Sequence, residues 1–214
     1  MLIKGRKFDI RVWVLVTQNL DCFFFREGYI RTSSSKYTTD AAALANDWVH
    51  LTNNAIQKHN PTYGDFEDGN QLSFADFRKY LRDRHSKYDP FFDTQILAKI
   101  KSYTQLSLEA VKKKLNPNKR SQCFEIFGYD YIIDREFNTW LIEANTNPCL
   151  EESSDLLKML LPRMLNDAFK LTIDKVCKPT SRDQPGYPEQ PFRVKGHPDN
   201  ANMWQLLCSL GKKG

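Results

Sequence analysis

Two apolar runs joined by a short polar segment constrain the fold of this chain most strongly. Residues 124–133 and 139–144 are rich in Phe, Tyr, Ile, Trp and Leu, and the residues between them favour turns. This pattern predicts a β-hairpin. Because side chains two apart on a strand share a face, Glu143 and Asn145 are expected to project together. The hairpin would then bring Asp130, Glu143 and Asn145 toward one point.

These three side chains are candidate ligands for a metal ion. Two carboxylates and a carboxamide form an all-oxygen set, which suits Mg²⁺ completed by water and substrate phosphates. No His or Cys stands among Asp130, Glu143 and Asn145, which argues against zinc. The alternative is that they are solvated polar residues on the open face of the hairpin. Their spacing leaves both interpretations open.

A second charged pattern lies near the start of the chain. Lys7, Asp9 and Arg11 occupy alternate positions of a predicted strand, so they share one face opposite an apolar one. After Arg11 the strand is apolar on both faces through Val16, as in strands that are covered on both sides. The charged end is therefore expected to open into a cleft. A Lys-Asp-Arg ladder on an exposed strand face is the alternative.

Four motifs, in order and spacing, resemble the catalytic core of one protein family. They are KFDIR at 7–11, REGYIRT at 26–32, HLTN at 50–53, and FGYDYIID followed by WLIEANTNP within 127–148. Over about residues 3–176 the chain resembles the tubulin tyrosine ligase-like proteins. The resemblance implies an α/β fold of the ATP-grasp type, with a mainly antiparallel sheet flanked by helices. It also implies a ligase that joins an amino acid to glutamate groups of tubulin tails through an acyl phosphate, using ATP and Mg²⁺.

The resemblance further implies roles for individual residues. Lysine and aspartate of KFDIR serve the nucleotide side in the family, and arginines of KFDIR and of the RT element meet substrate carboxylates, for which a planar guanidinium is suited. The threonine and asparagine of LTN lie beside the active site. The implied catalytic residues are Arg11, Arg31 and Asn53; the implied cofactor-binding residues are Lys7, Asp9, Thr52, Asn53, Asp130 and Glu143; and the implied metal ligands are Asp130, Glu143 and Asn145.

The sequence also departs from the family pattern. In the family an adenine-binding hinge and further phosphate-binding lysines precede KFDIR, whereas only six residues stand before Lys7 here. We therefore expect the amino-terminal part of the family fold to be missing, as in a truncated gene product, a fragment or a chain that has lost activity. Ala144 replaces a more frequent Val or Ile, and Thr146 lies near the incoming amino acid. Neither residue selects among glutamate, glycine and tyrosine.

Glutamate is the first expectation for the added amino acid because polyglutamylation is the commonest activity in the family. Polyglycylation and tyrosine ligation are the alternatives. A different class of function is a non-catalytic module that binds tubulin tails. The formal charge of +5 and the pI near 8.9 favour an acidic partner. Nucleic acid would fit the charge, but no RNA-recognition, helix-turn-helix or zinc-finger signature supports it.

Composition points to one domain in a reducing compartment. With 214 residues and 41% hydrophobic content the chain can bury one sizeable core. Its five cysteines are scattered without CxxC spacing, which favours reduced thiols. No run approaches the ~20 apolar residues that span a membrane, so no membrane partner is expected. A cytoplasmic, cytoskeletal location is expected, and a cilium or axoneme is implied by resemblance alone.

Local patterns predict the remaining elements. Strands are expected near 8–17, 22–26 and 28–32, with a tight reversal at Glu27 and Gly28 between the last two. The segment from Ser73 to Asp76 resembles a capping box. Helices are predicted over about 73–84, 93–115 and 153–176.

The carboxy-terminal region differs from the rest of the chain in its proline content. Residues 178–199 are Pro-rich and predict an extended tail, followed by a short docking helix over 203–210. Pro162 is expected to bend or interrupt the helix that precedes them. The predicted domains are a partial tubulin tyrosine ligase-like domain at 1–177 and a tail at 178–214.

Overall fold

An antiparallel sheet of six strands organises the part of the chain that the structure describes, residues 1–84, 90–177 and 192–211 of a computed structural model. The strand order is β3-β2-β1-β4-β5, and β6 pairs with β2 beside β3. Every pairing is antiparallel. The strands are β1 (Arg6–Thr17), β2 (Asp21–Lys36), β3 (Gln71–Ser73), β4 (Phe124–Ile133), β5 (Thr139–Asn145) and β6 (Trp204–Ser209).

Helices flank this sheet, so the α/β class with a mainly antiparallel sheet is confirmed. A π-helical segment, Phe92–Leu97, leads directly into α4, and a 3-10 turn, Lys112–Lys114, follows it. Two further 3-10 turns span Ala41–Ala43 and Asp68–Asn70. The α-helices are α1 (Asp47–His50), α2 (Asn54–Gln57), α3 (Phe74–Arg84), α4 (Ala98–Val111), α5 (Asp155–Leu171) and α6 (Ile173–Val176). None of the described helices has the length and hydrophobicity that a membrane crossing requires.

Strand β1 lies at the centre and separates two hydrophobic cores. Ile10, Val12 and Val14 pack into one core with residues of α3 and α4. Trp13 and Leu15 belong to the second core, which α5 covers. Burial on both faces explains why this strand is apolar at successive positions beyond its charged start. The sequence-based prediction of a strand covered on both sides is therefore confirmed.

The tight reversal predicted at Glu27 and Gly28 is wrong, because β2 runs without a break from Asp21 to Lys36. The chain reverses earlier, where Leu20 has a positive φ of 61° and its N–H bonds the carbonyl of Thr17. Between the pairs Val12–Gly28 and Val14–Phe24, β1 advances by two residues and β2 by four, which is a bulge.

Gly28 is required there by a close approach. A Cβ at this position would lie 2.4 Å from the carbonyl oxygen of Arg11 and 2.6 Å from the ring of Phe74. A glycine in a strand can mark either a turn or such an approach, and from the sequence we predicted the turn.

The helix predictions agree more closely with the structure than the predicted reversal does. Ser73 Oγ accepts the backbone N–H of Asp76 at 3.0 Å and donates to the Asp76 carboxylate at 2.6 Å, so the predicted capping of the start of α3 by Ser73 is confirmed. Residues 92–114 are helical throughout, close to the predicted 93–115. Helix α5 continues through Pro162, and the break lies instead at Thr172, whose φ of −124° and ψ of −78° are not helical. An interruption at Pro162 is therefore not observed.

The predicted terminal helix over 203–210 is wrong, because Trp204–Ser209 form β6. The strand pairs with residues 21–25 of β2, which satisfies backbone groups on both strands. Trp204 packs into the second core, and its Nε1–H donates to the carbonyl of Met164 at 3.0 Å. Pairing with a distant edge, which local spacing does not reveal, outweighs the weak helical pattern.

The predicted Pro-rich tail falls partly outside the described residues, which resume at 192. Within 192–199 the structure contains no helix or strand. Arg163 of α5 donates to the carbonyls of Phe192, Pro198 and Ala201, which fixes this segment on the second core. The division into domains at residue 177 stays a prediction.

Candidate active site

Strand register places the charged candidates in one row across the sheet. Asp9 on β1 lies opposite Arg31 on β2, and Arg11 lies opposite Asp130 on β4. Asp130 in turn lies opposite Glu143 on β5. Directly opposed residues of antiparallel strands share a face. The hairpin predicted from residues 124–144 is thus confirmed, and its polar residues meet those of β1 and β2.

Two arginines and two aspartates form a buried ion-pair network. Arg31 Nε and Nη2 donate to Asp9 Oδ1 and Oδ2, each at 2.7 Å. Arg11 Nε donates to Asp130 Oδ1, and its Nη2 donates to Asp130 Oδ2 at 2.9 Å. Arg31 Nη2 also lies 2.8 Å from Asp130 Oδ2. Asp130 is 2% exposed and Arg11 5%, so water competes little for these contacts.

The network shifts the ionisation of its members. Burial by itself would raise the pKa of the Asp130 carboxyl, but hydrogen bonds from Arg11 and the charge of Arg31 outweigh it and hold that pKa below its usual value. Burial likewise opposes the charge of Arg31, while Asp9 and Asp130 raise its pKa above the usual value. Asp130 and Arg31 are therefore both charged at neutral pH.

The three candidate metal ligands converge at the edge of this network. Asn145 Nδ2 donates to Glu143 Oε1 at 3.0 Å and lies 3.5 Å from Asp130 Oδ2. Glu143 is exposed and Asn145 half-buried. Among the residues that the structure describes, no three His, Cys, Asp or Glu side chains group closely enough to hold a metal. A cation site here therefore needs the asparagine as its third ligand.

The chemistry of these donors fits Mg²⁺. Two carboxylates and an amide oxygen are hard ligands of the kind that Mg²⁺ prefers. Rotation of the Asn145 amide exchanges its oxygen and nitrogen, which places an acceptor where a donor now faces Asp130 and Glu143. Glu143 is exposed, so an ion can reach the cluster from solvent.

The remaining candidates are Lys7 on β1 and two residues of the segment before α2, Thr52 and Asn53. Lys7 Nζ donates to the carbonyl of His50 at 2.6 Å. Thr52 is buried, and its hydroxyl donates to Asp9 Oδ2 at 2.5 Å, which joins it to the ion-pair network. Asn53 is the N-cap residue of α2, but its exposed side chain makes no capping hydrogen bond. The structure thus connects Thr52 to the charged row and leaves Asn53 beside it.

Gly128 belongs to the site although the sequence-based reading did not select it. A Cβ there would lie 3.1 Å from Arg11 Nη1 and 2.8 Å from the Cβ of Pro148. The absence of a side chain lets the guanidinium of Arg11 lie against β4. A glycine inside an otherwise apolar strand is the sequence signal that could have revealed this close approach.

Two other residues complete the surroundings. Tyr29 lies opposite Arg11, and its ring centroid lies 5.4 Å from that of Trp13 with the two planes tilted by 38°. Burial raises the pKa of Tyr29. Gln71 lies opposite Arg31, and it bonds the hydroxyls of Ser153 at 2.9 Å and Ser154 at 2.5 Å. Gln71 therefore ties the start of α5 to the charged row. Neither residue stands out in the sequence, since each depends on pairing between distant segments.

Two cavities, of about 270 and about 400 Å³, lie at the other end of β1, around Thr17, Cys123 and Phe124. Neither is lined by a candidate residue. The charged row instead lies within the sheet, where two buried guanidinium groups adjoin a cluster of oxygen ligands whose outer member, Glu143, is exposed. This arrangement can bind an anion and a cation side by side.

Comparison with known proteins adds to this geometry. The model of the tubulin-tyrosine ligase family matches residues 1–184. Tubulin glycylase 3D of Tetrahymena thermophila is 37% identical over 81% of this chain and 17% of its own length. Tubulin glycylase 3B of the same organism is 36% identical over 81% of this chain and 14% of its own length. A probable tubulin polyglutamylase, TTLL9 of Bos taurus, is 34% identical over 86% of this chain and 38% of its own length. The chain therefore spans well under half the length of these relatives.

Proposed function

The chain belongs to the tubulin-tyrosine ligase family, and we propose that it forms part of an ATP- and Mg²⁺-dependent ligase acting on tubulin. In this proposal an amino acid is joined to glutamate groups of tubulin tails through an acyl phosphate. The family match and the names of the relatives support this reaction class. The proposed setting is the cytoskeleton, including cilium or axoneme.

One observation carries the proposal most directly, namely that paired arginines adjoin an oxygen cluster. Asp130, Glu143 and Asn145 would hold Mg²⁺, since they present two carboxylates and an amide at one edge of the sheet. When bound, Mg²⁺ would offset negative charge on the phosphate groups during transfer.

Arg11 and Arg31 would bind substrate carboxylates. Both guanidinium groups already bond carboxylates in the two-bond geometry of such recognition, with Nη2 distances of 2.9 Å to Asp130 and 2.7 Å to Asp9. Their positions on β1 and β2 are fixed by pairing on both sides. They would orient an acceptor relative to the oxygen cluster rather than take part in bond making.

The other candidates would serve the nucleotide side. Lys7 would present a point charge to phosphate after release from the carbonyl of His50. Thr52 would position Asp9 through their 2.5 Å hydrogen bond. Asn53 would face the ligand from the exposed start of α2.

Glutamate is our first choice of added amino acid, and glycine is the second candidate. The probable polyglutamylase of Bos taurus favours the first, and the two Tetrahymena glycylases favour the second. Their identities to this chain, 34% to 37%, are too close to rank the two.

The test is a mass measurement on tubulin. The protein expressed from its complete gene is incubated with tubulin, ATP, Mg²⁺ and either glutamate or glycine. Tail peptides should gain the residue mass of one of these amino acids. Glu143→Gln should abolish the gain, whereas Glu136→Gln, which changes another exposed carboxylate on the turn of the hairpin, should not.

Three results contradict the proposal in different ways. No mass gain on any tubulin peptide would refute ligation. A gain that survives Glu143→Gln would refute the metal assignment. Tubulin binding that is unchanged by Glu143→Gln, without any mass gain, would favour a non-catalytic binding module.

A further inference from the structure

Asp130 is fully engaged by cationic and polar donors. Its Oδ1 accepts from Arg11 Nε, and its Oδ2 lies 2.9 Å from Arg11 Nη2, 2.8 Å from Arg31 Nη2 and 3.5 Å from Asn145 Nδ2. An ionised carboxylate offers about four acceptor positions. Three of these four contacts come from arginines, so a cation that takes Asp130 as a ligand competes with the arginines for its oxygens.

The two arginines differ in what they keep when Asp130 is withdrawn. Arg31 retains both bonds to Asp9, each 2.7 Å long. For Arg11, Asp130 is the one carboxylate partner within the described parts of the chain. A cation that draws Asp130 off the arginines would therefore leave Arg31 paired and Arg11 without an anion.

Arg11 cannot recover its hydration easily. Its side chain is 6% exposed, and its guanidinium is packed against Gly128, where a Cβ would lie within 3.1 Å of it. An uncompensated buried charge is strongly unfavourable. The freed guanidinium therefore needs another anion, and its planar fork suits a carboxylate.

We propose that Arg11 couples cation binding at Asp130, Glu143 and Asn145 to the binding of a carboxylate at its own guanidinium. The cation draws Asp130 away from Arg11, and the released guanidinium takes the incoming carboxylate. Each ligand then raises the affinity of the protein for the other by the same factor, as linkage requires. This inference depends on the metal site of the proposed function, and it adds that cation binding and carboxylate binding are coupled.

The coupling can be measured without any turnover. Mn²⁺ serves as the cation and is followed by the electron paramagnetic resonance of the free ion. Glutarate serves as a carboxylate that lacks an amine. The Kd of Mn²⁺ is measured with and without saturating glutarate, after correction for the Mn²⁺ that glutarate binds in the absence of protein. Allosteric couplings typically amount to about 5- to 150-fold, so we expect the Kd of Mn²⁺ to fall at least about fivefold.

Two variants isolate the role of Arg11. Arg11→Gln removes the competitor for Asp130, so it should bind Mn²⁺ more tightly than wild type without glutarate and show no further gain with it. Arg26→Gln, an exposed arginine on β2, should behave as wild type. If Arg11→Gln fails to fold by circular dichroism, Arg11→Lys replaces it. A lysine makes one bond in place of two and should weaken the coupling.

The outcomes separate this inference from the proposed function. Mn²⁺ that binds, is lost on Glu143→Gln and is indifferent to glutarate would overturn the coupling and leave the metal site standing. Weaker Mn²⁺ binding with glutarate would also overturn it. No Mn²⁺ binding to the wild-type protein at any glutarate concentration would overturn both.

Discussion

Replacing Arg163 with Met is expected to destabilise the protein by about 3–5 kcal/mol, because the change takes from a buried carboxylate its one fully buried cationic partner among the described residues. Arg163 and Asp167 lie one turn apart on α5, and both side chains are completely buried. Arg163 Nε donates to Asp167 Oδ2 at 2.8 Å. The pair sits inside the second core, so solvent does not weaken it.

The size of the loss follows from the contacts that disappear. Besides Asp167, Arg163 bonds three carbonyls, those of Phe192 at 2.8 Å, Pro198 at 3.1 Å and Ala201 at 2.6 Å. Hydrogen bonds to charged groups contribute about 1.5–3 kcal/mol each, but Met restores part of the packing. Asp167 keeps the N–H of Met203 at 2.9 Å and the partly exposed Lys170 Nζ at 3.2 Å, and both contacts limit the cost of losing Arg163.

Arg78 offers a matched control. It forms a two-bond contact with Asp93, with Nε 2.9 Å from Oδ2 and Nη2 2.8 Å from Oδ1, but the two side chains are 33% and 42% exposed. Exposed ion pairs contribute about 0–1 kcal/mol. Arg78→Met should therefore cost less than about 1 kcal/mol, although Arg78 makes two bonds to its carboxylate and Arg163 makes one.

The free energy of unfolding is measured by urea denaturation of each variant. For a chain of this size about 1 kcal/mol corresponds to about 2–4 °C in Tm, so Arg163→Met should lower Tm by roughly 6–20 °C. The double change Arg163→Met with Asp167→Leu should be more stable than Arg163→Met alone, since no charge is left buried. Equal losses for Arg163→Met and Arg78→Met would refute the reasoning from burial.

Further predictions concern the site and the thiols. The pKa of Asp130 is lower in the folded state than its usual 3.8, so its contribution to the free energy of unfolding is full above pH 3.8 and is lost as pH falls through the folded pKa. Between about pH 5 and about pH 2, urea denaturation should show that the free energy of unfolding falls more steeply for wild type than for Asp130→Asn. Equal slopes would contradict this. Gly128→Ala places a methyl 3.1 Å from Arg11 Nη1 and closer still to a proline, so urea unfolding should show a loss of about 1–3 kcal/mol; unchanged stability would contradict the close approach. Exposed Cys149 should react at once with a thiol reagent, whereas Cys22, which is buried and has a raised pKa, should react only on unfolding; rapid labelling of Cys22 in a peptide map would be the opposite result.

Local chemistry accounts for what the sequence predicted well. The alternation of Glu143 and Asn145, the turn residues before them and the capping box at Ser73 each act over a few neighbouring residues. The structure confirms the hairpin and the helix start. It also confirms that β1 is covered on both faces beyond its charged end. The roles of the site residues stay predictions.

Long-range register accounts for the rest. Arg11 and Asp130 meet across 119 residues of chain, and no local pattern specifies that contact. The glycine at position 28 serves a close approach between strands, which from sequence alone looks like a turn. Trp204 and its neighbours show a weak helical spacing, yet an open edge of β2 recruits them as a strand. In each case the deciding partner lies far away in the sequence.

The pairing of β6 with β2 also affects the order in which the chain can fold during synthesis. Asp21 and Ser209 form a hydrogen bond across 188 residues. A ribosome adds about 5–20 residues per second, so β2 emerges roughly 10–40 s before its partner. Throughout that interval the edge formed by residues 21–25 is not paired with β6, and Phe25 lacks its ring contact with Trp204. The nascent chain therefore presents an open strand edge for a time that chaperone binding can match.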